Sequence, residues 1–287
     1  ADINTVVNAY HYRSLRMMAD IAGALGKDRE RETLLAQARK VRGSFNRKLF
    51  DPQRGVYVDG EGVEHASLHA NMYPLAFGLV PPEHVPSVAR HIKSRGMACS
   101  VYGAQYLLEA LYAAGEAEYA LSLMTSDSKR GWLNMLRAGS TMTTEAWDEF
   151  YKPNLTWNHA WGSAPANIVA RKIAGIEPAA PGFTRIAIRP QLAGLEHGDL
   201  KMPTPRGAVR VAWKNDGDAL SFEVTVPANT SAEILLPPGG TITESDEPLD
   251  AAPGVRVLDR TGDRILVEVG GGAYRFRVVP PPARTAQ

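Results

Sequence analysis

The chain has 287 residues, of which 44% are hydrophobic and 22% are charged, and both fractions are ordinary for folded globular proteins. This composition excludes a chain that is disordered throughout, and the length predicts one or two domains. The net charge is +1, there is no block of Lys and Arg, and no apolar run approaches ~18 residues, so neither nucleic acid nor a membrane is expected as a partner.

Up to about residue 175, apolar residues recur at helical spacing, already within the first few residues. The first helix is predicted to end at Gly26 and the second at Asp51-Pro52, which makes an antiparallel helical hairpin. The predicted apolar face of the first helix consists of Val6, Tyr10, Leu15, Met18, Ile21 and Leu25. That of the second consists of Leu34, Ala38, Val41, Phe45 and Leu49.

The rest of this region is predicted to be helical with two long loops, and no strand is expected before residue 130. Further helices are predicted at about 67–79, 83–95, 102–114, 116–125 and 159–174. Segments 51–64 and 139–158 have no clear period and are predicted to be loops. The second loop is rich in tryptophan and carboxylates, which favours a functional role.

After Ile176 the hydrophobic period changes to two, which is typical of antiparallel strands with one buried face. Turns are predicted at 215–218, 237–240 and 270–272. These features predict a β-sandwich over about 178–280. The predicted domains are therefore a helical domain, 1–176, and a C-terminal sandwich, 177–287, and the last residues, 280–287, are predicted to be frayed.

Four of the five tryptophans lie within about thirty residues, at Trp132, Trp147, Trp157 and Trp161. Tryptophan has an apolar body and a polar edge, so a cluster of them beside carboxylates suits a sugar-binding pocket. The alternative is that each tryptophan packs the helical domain. The density of the cluster favours the pocket.

Glu145, Asp148 and Glu149 are the acids of this stretch. Glycoside hydrolysis uses two carboxyl groups, one to protonate the leaving oxygen and one to activate water or attack the sugar. Glu145 is a candidate for one of them, although an acid here could equally cap a helix. His159 could donate to a sugar hydroxyl, or it could be a structural histidine.

Other chemistry is not indicated. The single cysteine, Cys99, lies among apolar residues and is predicted to be buried, and it cannot form an intramolecular disulfide. His65 and His69 lack the flanking acid of a zinc-binding helix, and no nucleotide-binding or nucleophile-elbow motif is present. No metal and no cofactor are expected.

The stretch from Thr141 to Ile176 resembles bacterial α-L-rhamnosidases, which are inverting glycosidases with a six-hairpin α-barrel and a C-terminal β-sandwich. The resemblance is carried by Thr-Thr-Glu-Ala-Trp-Asp (143–148) and Asn-His-Ala-Trp-Gly-Ser (158–163). It continues through Ala-Gly-Ile-Glu-Pro (174–178), Pro-Gly-Phe (181–183) and Ile-Arg-Pro (188–190), and upstream at 67–71 and 77–82.

The resemblance implies a partial (α/α) six-hairpin barrel followed by an antiparallel β-sandwich, acting on rhamnose-containing glycosides or polysaccharides. It assigns the general base to Glu145. It carries sugar-binding roles to Asn158, His159 and Trp161. Trp147, Asp148 and Trp157, from the cluster of tryptophans and carboxylates, complete the candidate substrate-binding residues.

The chain departs from the family in lacking the acid-rich segment that supplies the general acid. About seven predicted helices also fall short of the twelve of a full barrel. The expected partner is therefore an N-terminal part of the same protein. Two alternatives remain open: a lyase acting on rhamnosyl-glucuronate linkages, and a non-catalytic carbohydrate-binding remnant. Localisation is left open.

Overall fold

The computed structural model describes residues 3–262 and 264–279. The chain divides into two compact units, Ala1–Pro165 and Ala166–Gln287. The first unit is helical and the second consists mainly of strands, so the predicted order of fold classes is confirmed. The domain boundary after residue 176 stays a proposal, and the predicted fraying of 280–287 lies outside the described residues.

The helical part begins with a pair of long helices, followed by shorter ones. They are α1 (Thr5–Ala24), α2 (Asp28–Leu49), α3 (Leu68–Ala76), α4 (Val85–Arg95), α5 (Val101–Ala113), α6 (Ala117–Met124), α7 (Trp132–Arg137) and α8 (Ala164–Ile168). Side-chain caps fix three of the helix starts, because Asn4, Ser67 and Ser100 each accept a hydrogen bond from a backbone N–H in the first turn. Gly26 follows α1 with a φ of 68°, a left-handed conformation that glycine adopts readily.

The predicted apolar face of α1 is wrong in its second half. Met18, Ile21 and Leu25 are 52%, 51% and 65% exposed. The residues of α1 that are buried are Thr5, Ala9, Tyr12, Leu15, Ala19 and Ala22. Three of these are alanines, and their small side chains permit a close approach of the neighbouring backbone.

Three further features of the secondary structure differ from prediction. Two-residue strands, β1 (Phe50–Asp51) and β2 (Val56–Tyr57), pair within the first predicted loop, so the expectation of no strand before residue 130 is wrong there. Helix α7 was not predicted, since its six residues are too few to show a period. The predicted helix 159–174 is broken into a 3₁₀ turn (Ala160–Gly162), α8 and a π-helical turn (Val169–Ile173).

The strands of the second unit form two sheets. They are β3 (Ile176–Pro178), β4 (Arg185–Ile188), β5 (His197–Thr204), β6 (Gly207–Asn215), β7 (Leu220–Val226), β8 (Ser231–Leu235), β9 (Thr241–Glu244), β10 (Glu247–Pro248), β11 (Val255–Thr261), β12 (Arg264–Val269) and β13 (Gly272–Val279). One sheet has the order β10-β9-β13-β7-β6-β5, and the other has the order β11-β12-β8-β4-β3.

Both sheets bury alternate residues, as the two layers of a sandwich do. On β7, Phe222, Val224 and Val226 are at most 3% exposed, which confirms the predicted period of two. One pair, β4 with β8, is parallel, contrary to the all-antiparallel prediction. Between these strands the chain visits the other sheet as β5, β6 and β7, so no hairpin forces them to run in opposite directions.

Within residues 3–262 and 264–279, no helix combines the length and the apolar character that crossing a bilayer requires. The same residues bring together no group of three or more histidine, cysteine or carboxylate side chains that could hold a metal ion.

Candidate functional site

The loop between α7 and α8, residues 139–162, folds back on itself. The backbone N–H of Glu145 donates to the carbonyl of Thr156 at 2.9 Å, and that of His159 donates to the carbonyl of Thr143 at 2.8 Å. These bonds place the two tryptophan-rich parts of the sequence side by side. A loop that satisfies its backbone in this way can hold functional side chains in fixed positions.

Gly162 fixes the end of this loop. The indole N–H of Trp132, on α7, donates to the Gly162 carbonyl at 2.7 Å. A Cβ atom at Gly162 would lie 2.7 Å from the Cβ of Thr143 and 3.0 Å from the carbonyl oxygen of Thr144. Glycine is therefore required for the close approach of the two loop halves.

A cleft of about 670 Å³ opens beside the loop, within the helical unit. It is bounded by the loop, by the start of α5 and by α3. The side chains that give the cleft its chemistry are His69, Tyr102, Arg130, Glu145, Lys152 and Trp161. Clefts of this size with a few polar groups and aromatic walls are typical of small-molecule sites.

Glu145 is the only carboxylate among the described residues that line the cleft. Its side chain is 16% exposed. Lys152 Nζ donates to Glu145 Oε1 at 2.6 Å, and the backbone N–H of Thr156 donates to Oε2 at 3.0 Å. The hydrogen bond from Lys152, followed by that from Thr156, holds the pKa of Glu145 below its usual value. The group is thus ionised at neutral pH, the form that a general base needs.

Two tryptophans line the same cleft in different ways. Trp147 is 2% exposed, packs edge-on against Trp132 and donates its indole N–H to the carbonyl of Cys99 at 2.8 Å. Trp161 is 43% exposed and donates to the Glu145 carbonyl at 3.2 Å. Trp147 therefore anchors the loop, whereas Trp161 presents an accessible ring beside the carboxylate.

The sequence profile of the bacterial α-L-rhamnosidase six-hairpin glycosidase domain matches residues 1–173. The chain belongs to this family. The profile of the bacterial α-L-rhamnosidase C-terminal domain matches residues 175–247, so the two family domains follow one another along the chain.

Curated relatives are α-L-rhamnosidases. The α-L-rhamnosidase of Alteromonas sp. (strain LOR) is 25% identical over 291 residues, covering 95% of this chain and 31% of that protein. The α-L-rhamnosidase of Streptomyces avermitilis is 25% identical over 284 residues, covering 96% of this chain and 27% of that protein. The chain thus spans about a third or less of the length of the relatives it matches.

Solved structures of α-L-rhamnosidases share the fold. The enzyme from Dictyoglumus thermophilum superimposes with a TM-score of 0.80 at 22% identity, covering 94% of this chain and 31% of that one. The Streptomyces avermitilis enzyme, solved in complex with L-rhamnose, gives a TM-score of 0.77 at 21% identity, covering 94% of this chain and 26% of that one.

The other family-implied residues lie around the cleft rather than in its wall. Asp148 accepts hydrogen bonds from the backbone of Phe150, at 3.0 Å, and from Asn134, so it orders the loop. Trp157 and Asn158 are exposed. The His159 ring packs on Trp161, with ring centroids 4.0 Å apart, and its side chain does not cap the turn that follows.

Several cleft residues were not singled out from the sequence. Lys152 lies in the same loop as Glu145, and a lysine seven residues after a candidate base was a usable signal. Arg130 and Tyr102 gave no local signal, because only tertiary packing brings them to the cleft. His69 was weighed only as a metal ligand. Burial, opposed in part by Asp59, lowers its pKa, which favours a neutral imidazole in the cleft wall.

Proposed function

We propose that the protein to which this chain belongs is an α-L-rhamnosidase that removes terminal rhamnose by inverting hydrolysis, with Glu145 as the general base. The observation that carries the proposal is the ionised Glu145 carboxylate in the wall of an aromatic cleft. The names of the relatives agree with this reaction and do not favour the lyase or the non-catalytic remnant.

In an inverting reaction, Glu145 would hold a water molecule on one face of the sugar. A protonated carboxyl group would stand on the other face, ~6.5–9.5 Å from the first, leaving room for the water. No other described residue of the cleft wall carries a carboxylate. Because the relatives are about three times longer, we place the general acid in another part of the protein.

The sugar-binding roles stay proposals. Trp161, exposed beside Glu145, is proposed to stack on a sugar face, and His159 packs against its ring. Trp157 and Asn158 are available to a substrate that extends beyond the cleft. Trp147 and Asp148 are proposed to act by holding the loop in place, because Trp147 donates to the Cys99 carbonyl outside the loop and Asp148 accepts from the backbone of Phe150 within it.

The test is the variant Glu145→Gln in the full-length enzyme, assayed with an aryl α-L-rhamnoside. Glutamine keeps the shape but cannot accept the proton, so kcat should fall by a factor of about 10²–10⁴ while KM changes little. Glu149→Gln, an exposed acid four residues away, serves as the control and should retain wild-type activity.

The stereochemistry provides the second measurement. Proton NMR of the first product released by the wild-type enzyme should show the inverted anomer. Near-normal turnover of Glu145→Gln, or release of the retained anomer, would contradict the proposed role.

A further inference from the structure

The charges lining the cleft do not balance. Two permanent cations, Arg130 and Lys152, face it, against one carboxylate, Glu145. Lys152 is within 2.6 Å of that carboxylate, so these two charges neutralise each other. Among the described residues of the cleft wall, Arg130 is then the cation that no carboxylate compensates.

The contacts that the described residues make with Arg130 involve a tyrosine and a backbone carbonyl. Its Nε donates to the hydroxyl of Tyr151 at 3.3 Å, and its guanidinium carbon lies 5.1 Å from the centre of the Tyr151 ring. One terminal nitrogen, Nη1, makes a long contact of 3.5 Å with the carbonyl of Met97. Among the described residues no carboxylate forms an ion pair with Arg130, although the residue is partly buried.

A charge that is partly removed from water is stabilised by a counter-charge, which an anionic ligand can supply. The planar guanidinium is suited to an oxyanion because it donates parallel hydrogen bonds to two oxygens. The hydrogen bond and the ring contact with Tyr151 restrain the guanidinium in advance, which reduces the entropy lost on binding. The start of the thirteen-residue helix α5 also lines the cleft, and its N-terminal end favours negative charge.

We propose that Arg130 and Tyr151 form a subsite for an anionic group on the sugar next to the one held at Glu145. The ligand class is an acidic saccharide whose carboxylate or sulfate oxygens accept hydrogen bonds from the guanidinium. The cleft thereby prefers rhamnosides of acidic sugars to those of neutral sugars. This rests on the proposed rhamnosidase function, of which it specifies the substrate class.

The experiment compares two disaccharides in the full-length enzyme, rhamnosyl-glucuronate and rhamnosyl-glucose, which differ only in the carboxylate. The wild type should favour the acidic substrate. Arg130→Gln should lower kcat/KM for the acidic disaccharide by about 10- to 100-fold, the range expected for a lost charged hydrogen bond, and change that for the neutral one by less than about twofold. Arg130→Lys keeps the charge but lacks the parallel donors of the guanidinium, so its kcat/KM for the acidic disaccharide should lie between those of the wild type and Arg130→Gln. A sulfated rhamnosyl-glucose then separates sulfate from carboxylate recognition.

Arg137→Gln is the matched control, because Arg137 is exposed, lies on α7 outside the cleft and should leave both substrates unaffected. Equal wild-type activity on the acidic and the neutral disaccharide would overturn the proposal. So would an equal loss on both in Arg130→Gln, which would place Arg130 in the catalytic machinery.

A binding measurement separates this proposal from the reaction itself. Calorimetric titration of the full-length protein with a glucuronate oligosaccharide should show binding that Arg130→Gln removes. If binding depends on Arg130 but no rhamnoside is cleaved, the subsite is supported and the rhamnosidase proposal fails. If rhamnosides of acidic and of neutral sugars are cleaved equally well, the rhamnosidase proposal is supported and the subsite proposal fails.

Discussion

Lys152 is the residue that sets the protonation of Glu145. Its ammonium donates to the carboxylate at 2.6 Å, and this contact is the largest cause of the lowered pKa of Glu145. In the proposed role as general base Glu145 works only when deprotonated, so the acidic limb of the rate profile should report this pKa. In that role the ion pair should extend activity toward lower pH, and it weakens the basicity of the carboxylate at the same time.

Replacing Lys152 by methionine removes the ammonium but keeps most of the side-chain length. The pKa of Glu145 should rise, and the acidic limb of kcat/KM against pH should move to higher pH. The measurement is a pH–rate profile of the full-length enzyme. Lys129→Met, an exposed lysine outside the cleft wall, should leave the limb in place. An unshifted limb in Lys152→Met would show that Lys152 does not control the base.

The sequence identified the candidate base and two tryptophans of the cleft wall, Trp147 and Trp161, but not the cations and the tyrosine around them. The order Thr-Thr-Glu-Ala-Trp-Asp pointed to Glu145 because the motif is local. The guanidinium of Arg130 and the ring of Tyr102 reach the cleft through packing between elements far apart in sequence. Hydrophobic periodicity and motif spacing do not indicate contacts between elements that are far apart in sequence.

Hydrophobic spacing predicted α1 correctly as a helix but did not identify which of its faces is buried. The prediction followed the largest apolar side chains, including Met18 and Ile21. The structure instead buries Ala9, Ala19 and Ala22 beside Tyr12 and Leu15, so side-chain size alone does not identify the covered face. Helix ends were easier to predict, since caps such as Ser67 and Ser100 are encoded locally.

The loop that carries Glu145 depends on Gly162. Alanine there would place a methyl group 2.7 Å from the Cβ of Thr143, so the two loop halves would have to separate. We expect Gly162→Ala to destabilise the helical unit by about 1–3 kcal/mol and to lower kcat by displacing Glu145. Thermal unfolding of the full-length enzyme and its turnover are the measurements.

Gly43→Ala is the matched control for this change. Gly43 lies inside α2, where the nearest atom to an added Cβ is a guanidinium nitrogen of Arg47 at 3.4 Å. Alanine is the better helix former by ~1 kcal/mol, so this variant should be as stable as wild type or more so. If Gly162→Ala unfolds at the wild-type temperature with normal turnover, the loop does not depend on the close approach.

At the scale of the whole chain, the change of hydrophobic period near residue 175 separated the helical part from the sheets correctly. The predicted turn 237–240 falls between β8 and β9, and those at 215–218 and 270–272 overlap the adjoining strand by one residue, Asn215 of β6 and Gly272 of β13. The pairing of β4 with β8 could not be predicted, because strand order within a sandwich depends on which sheet each strand joins. Alternation along a strand marks its buried face but not its neighbour.

A row of exposed apolar side chains runs along one side of α1 in the helical unit. The row consists of Val7, Met18, Ile21 and Leu25, and each of these side chains is at least half exposed. The successive spacings are eleven, three and four residues. Helical spacing places them on one side of the helix, and a continuous apolar surface favours association. We expect the 287-residue chain, purified by itself, to self-associate with rising concentration in sedimentation velocity.

The double variant Met18→Lys, Ile21→Glu should abolish this association without lowering the unfolding temperature, because both side chains are exposed and their replacement leaves no cavity. Leu136→Lys is the control: Leu136 is 65% exposed but lies on α7, so its change should leave the association as it was. Sedimentation of the double variant that matches wild type at every concentration would locate the association surface elsewhere. A monomeric wild-type chain would show that the α1 row alone is too small to hold two copies together.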